Sequence, residues 1–128
     1  MFDAEVYAAF LNERATSDLK AAETMVRYQR HGYSLFFAHA ALQKIFAALI
    51  CTETRKTPPW RKDLTKLARL AKVSLTSEQR EFLKILNFYH DEGLYLGIQH
   101  PEPPKKEAMA YLSNAKKMAA SLTSPSTE

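Results

Sequence analysis

YSLFFAHAALQKIFAALIC, residues 33–51, decides the fold. It spans about five helical turns and has no Gly or Pro to break them. Leu35, Ala38, Leu42, Ile45 and Leu49 recur at helical spacing, while Phe36, Phe37, Ala40, Ala41, Phe46, Ala48 and Ile50 cover most of the remaining surface. A helix that is apolar nearly all round is buried on several sides, so this stretch reads as the central helix of a bundle. His39, Gln43 and Lys44 interrupt it, and the apolar run falls short of the roughly 20 residues a membrane span needs.

The chain before this stretch reads as one long helix. Asp3 is a good N-cap, and Val6, Phe10, Ala15, Leu19, Ala22, Met25 and Val26 are assigned to the core. His31 and Gly32 are read as its end, with Gly32 in a left-handed C-terminal cap. The link to the central helix is then short, which makes the two helices antiparallel neighbours. After Cys51 comes the polar loop TETRKTPPWRKD, in which Pro58-Pro59 stops any helix. A short helix is expected over 62–71, with Leu64, Leu67, Ala68 and Leu70 inward. Thr76 with Gln79 fits a capping box for a helix that carries Phe82, Leu83, Ile85, Leu86 and Tyr89 and ends near Gly93. A proline-rich loop leads to a last helix, with Pro103 or Pro104 in its first turn. It runs to Leu122 and is followed by a disordered tail, 123–128. These elements predict an all-α fold, an antiparallel up-and-down four-helix bundle with one additional short helix, in a single domain over 1–122.

The 128 residues include only three glycines and one cysteine, which suits a helical fold in a reducing, cytoplasmic setting. No signal peptide is indicated. The formal charge is +4, but the segment 55–72 alone carries +6, which leaves −2 for the rest. Charge concentrated in this way points to a local anionic partner.

Within that segment, Arg55, Lys56, Arg61, Lys62 and Lys66 surround Trp60. An indole can stack on a base while cations meet phosphates, so these six are the candidate nucleotide- or RNA-binding residues. The competing reading has Trp60 plugging the end of the bundle. His39 and Gln43 lie four apart on one helix face, with Lys44 beside them. They are candidates to line a polar pocket for a phosphate, or else are hydrogen-bonded polar groups inside the bundle. No metal site and no cofactor is expected. The histidines form no pair at ligand spacing, and no glycine-rich phosphate loop or serine nucleophile motif occurs. The surplus of aromatics, among them Tyr7, Phe10, Phe88 and Tyr89, suggests an apolar patch left for an interface.

Four stretches in this order resemble the HEPN domain family: ATSDLKAA (15–22), AALQKIFAALI (40–50), PPWRKDLTKL (58–67) and LNFYHDEGLYL (86–96). A final helix with AYLSNAKKM (110–118) also fits. The resemblance implies a small helical bundle that forms a homodimer and acts on RNA or nucleotides. It also implies a nucleotidyltransferase partner in a toxin–antitoxin-like module. Many members are metal-independent RNases that use an arginine and, a few residues later, a histidine. Here the arginine position is Leu94, and His100 follows with five residues between them. The resemblance therefore implies a non-catalytic binding protein, and the short, interrupted apolar run predicts no membrane role. The alternatives are an RNase toxin using His100 with a cation from elsewhere, and a purely structural dimerisation module.

Overall fold

The computed structural model of the chain describes residues 1–94 and 102–123, and for 92–94 the backbone alone. Five helices follow one another: α1 (Ala4–Arg27), α2 (His31–Thr54), α3 (Leu64–Leu70), α4 (Ser77–Leu94) and α5 (Lys105–Thr123). No strand occurs among the described residues. The expected all-α bundle with one short insert is what forms. His100 lies outside the described residues, as does the tail apart from Thr123, which closes α5.

Helix α2 is the hub, and α1, α3, α4 and α5 all pack on it. Leu35, Leu42 and Phe46 are fully buried on it, and Ala38 and Ala41 are buried between them. They meet Ala15 and Ala22 of α1, Leu64 and Leu67 of α3, Leu83 and Leu86 of α4, and Leu112 and Ala115 of α5 in one continuous cluster. Small alanines on α1, α2 and α5 let the backbones approach while Phe46 and the leucines fill the space. By length and composition α2 could cross a membrane, yet 67% of its most apolar window is buried inside the bundle.

Local chemistry explains most of the helix ends. The Asp3 carboxylate accepts the N–H groups of Glu5 and Val6. At the start of α4 the Thr76 hydroxyl accepts the Gln79 N–H at 3.0 Å, and the Gln79 side chain accepts the Thr76 N–H at 2.9 Å, the reciprocal pattern of a capping box. Helix α1 ends before the expected position. Gln29, with φ 61°, takes the left-handed place. Its N–H reaches the Val26 carbonyl, and that of Arg30 reaches Met25, the two bonds of a Schellman motif.

Gly32 therefore sits in the first turn of α2 and not in a C-cap. Its use is different. Arg30 gives α2 no side-chain cap, and the Gly32 N–H donates instead to the carboxylate of Glu102. A Cβ at Gly32 would stand 3.1 Å from that carboxylate oxygen. His31 Nδ1 donates to the Pro103 carbonyl at 3.0 Å. The α2 N-terminus is thus closed by a segment about 70 residues downstream. The Pro104 carbonyl accepts the Ala108 N–H, so Pro104 precedes α5 and does not stand inside its first turn.

Several expected core residues are outside. Val6 is 65% exposed, and Phe10 and Leu70 are also exposed. Phe10 stacks on Tyr7, and the Arg14 guanidinium lies 5.1 Å from its ring centre. Trp60 is 60% exposed and plugs nothing.

Candidate functional site

The buried polar residues of α2 and the loop before α3 form one unit. His39 is fully buried and Gln43 is 7% exposed. His39 Nε2 lies 2.7 Å from the Lys62 carbonyl oxygen. A carbonyl only accepts, so Nε2 carries the proton and Nδ1 is bare. The Gln43 amide donates to the Arg61 carbonyl at 2.6 Å. Two side chains four residues apart on one helix face thus hold two consecutive carbonyls of the basic loop.

Helix α4 grips the same loop from another side. The Asn87 side chain accepts the Leu64 N–H at 3.1 Å and donates to Asp63 at 3.0 Å. Asp63 caps α3 through the Thr65 N–H and hydroxyl. Partial burial pushes the Asp63 carboxyl up, but the hydrogen bonds from Thr65, Asn87 and the Lys66 N–H outweigh it and hold the carboxyl below its usual range. Pro58 is buried and fixes the start of the loop.

Anchored from inside, the loop presents its side chains outward. Trp60 and Arg61 are exposed, as are Arg55, Lys56, Lys62 and Lys66. Arg55 pairs with Glu5 at 3.9 Å, Lys62 with Asp91 at 3.6 Å and Lys72 with Glu53 at 3.6 Å. Exposed pairs of this kind are worth about 0–1 kcal/mol and give way readily to a phosphate. Among the described residues, Lys56, Arg61, Lys66 and Arg69 have no acidic partner within 4.0 Å.

The structure separates the third candidate pocket residue from the other two. Lys44 points to α1 and pairs with Asp18 at 2.6 Å, both side chains being mostly buried. It ties the two longest helices together and takes no part in the loop.

Sequence reasoning gave no role to His90, Asn87 or Phe36 at this place. The His90 ring lies between Phe36, at a centroid distance of 5.4 Å, and His39, at 4.3 Å. His90 Nδ1 is 3.3 Å from Asp91 Oδ1. Burial holds His39 down to about 4; the Lys62 carbonyl works against that, and His90 adds to it. The one available signal was the LNFYHDEGLYL stretch itself, which contains Asn87, His90 and Asp91. No group of three or more potential metal ligands occurs among the described residues.

The chain is thus an all-helical bundle with a clamped basic loop between its second and third helices. The HEPN domain family model matches residues 8–122, nearly the whole chain, and the protein belongs to that family. No curated protein and no solved structure matches the chain.

Proposed function

We propose that this HEPN protein binds RNA or a nucleotide on the loop that carries Trp60, Arg61 and Lys62, with Arg55, Lys56 and Lys66 beside it. In this reading it works as a cytoplasmic homodimer, together with a nucleotidyltransferase in a toxin–antitoxin-like module. It does not cleave by the usual family residues, because Leu94 occupies the arginine position. The observation that carries the reading is the clamp. Gln43 and His39 hold the Arg61 and Lys62 carbonyls inward, while the Trp60 ring stays 60% exposed. A backbone fixed before the ligand arrives lowers the ordering cost of binding.

Single-stranded RNA binding measured across a salt series tests this. Log affinity is expected to fall with log salt by about 0.7 per phosphate contacted. Trp60→Ala is expected to weaken binding by about 1–3 kcal/mol through lost stacking. RNA cleavage that disappears in His100→Ala would overturn the non-catalytic part. Binding indifferent to salt and to Trp60→Ala would overturn the assignment of the loop.

A further inference from the structure

The basic surface does not end with the loop. Asp63 caps α3 directly after Lys62, so the chain passes from the clamped loop straight into that helix. Leu64, Leu67 and Ala68 are buried on its inner side, which leaves Lys66, Arg69 and Leu70 exposed on the other. Lys66 stands three residues from Arg69 and four from Leu70, so the three are neighbours on one helix face. Nearby acids are engaged elsewhere. Glu5 pairs with Arg55, Glu53 with Lys72 and Asp91 with Lys62, and Asp63 is taken up by Thr65 and Asn87. Among the described residues, Arg61, Lys66 and Arg69 have no acid within 4.0 Å. They make a row of unneutralised positive charge, with the exposed Trp60 ring at one end and Leu70 at the other.

The length of the row selects the ligand. The loop residues before α3 advance up to about 3.3 Å each, and those inside the helix about 1.5 Å each. From Arg61 to Arg69 the cations therefore cover up to roughly 15 Å. Several consecutive phosphodiesters fill that length, whereas the phosphates of one nucleotide reach only part of it. The aromatic end narrows the choice further. Stacking on Trp60 needs a base whose face is free, which a single strand offers and a duplex does not. Leu70 supplies apolar surface for a further base or ribose beside Arg69. We propose that the ligand is a single-stranded oligonucleotide, with one base on Trp60 and its backbone running over Arg61, Lys66 and Arg69 toward Leu70. The inference rests on the loop site proposed above; it chooses strand over mononucleotide and adds Arg69 to the binding surface.

The test is titration calorimetry on the full chain with three probes: AMP, an oligouridine about eight nucleotides long, and an RNA duplex of the same length. The oligouridine is expected to bind about a hundredfold more tightly than AMP, and more tightly than the duplex. Its log affinity is expected to fall with log salt with a slope of about 2 or more, from three cations at about 0.7 each. Arg69→Ala is expected to lower that slope by about 0.7. The position is exposed and Ala favours helix, so the variant folds, which its helix signal checks. Lys106→Ala, an exposed cation of α5, is the control and is expected to leave the slope as it is. Oligouridine binding no tighter than AMP, with both weakened by Trp60→Ala, would overturn the strand and leave the loop site standing. So would equal binding of the duplex. A slope that Arg69→Ala does not change, or that Lys106→Ala changes as much, would overturn the path along α3. Binding of none of the three probes would overturn the strand and the loop site together.

Discussion

His39→Ala is expected to destabilise the fold by about 3–5 kcal/mol. The imidazole is fully buried, and truncating a side chain of that size in a packed core costs about 2–5 kcal/mol in transfer and cavity. The Lys62 carbonyl also loses its donor at 2.7 Å, and an unsatisfied buried acceptor adds about 1–3 kcal/mol unless water reaches it. The loop edge lies near solvent, so a partial contribution is expected from the second cost. Urea unfolding of the two proteins, read by helix signal, checks the value. Gln43→Ala serves as a companion, because it frees the neighbouring Arg61 carbonyl from a side chain that fills less of the core. A loss below about 1 kcal/mol for His39→Ala would mean that the loop is not held through this residue.

The pH profile follows from the same group. Burial moves His39 from its ordinary 6.5 down to about 4 in the folded protein. Between those values the unfolded chain binds the proton and the folded one does not, so stability rises with pH across this window. Acidifying from about 6.5 to about 4 is therefore expected to remove on the order of 3 kcal/mol through His39 alone. Asp63, held below the usual carboxylate range, adds a further loss at still lower pH as it is protonated. Unfolding midpoints at stepped pH for the wild type and His39→Gln isolate the histidine. If the two proteins lose stability in parallel between pH 6.5 and 4, the imidazole is not buried in its neutral form.

Both expectations turn on residues whose type was legible and whose partners were not. His39 and Gln43 stand out in the sequence as polar positions on an apolar helix four residues apart. Nothing local says that their partners are main-chain carbonyls 23 and 18 residues away. His90 and Asn87 were present in a recognised stretch but reach this place only when α4 packs on α2. The surface of α1 shows the converse. Val6 and Phe10 have the right type and nearly the right spacing for the core. The phase of that face drifts along the helix, and only packing decided that Ala4, Ala8 and Leu11 point inward in their place. Leu70 is left outside for a similar reason, since Leu64, Leu67 and Ala68 already fill the contact of the short α3 with the bundle.

By itself the sequence determined the helical class, the central place of residues 33–51, the caps at Asp3 and Thr76 and the position of the basic loop. Each of these depends on helical periodicity, backbone propensity or hydrogen bonds within a few residues. The tertiary structure decided how the loop is held, how Glu102 accepts the Gly32 N–H at the start of α2, and where the bundle stays open between α4 and α5. Those features arise between segments far apart along the chain. Their hydrogen bonds and contacts exist only after α2 has been buried by the helices around it.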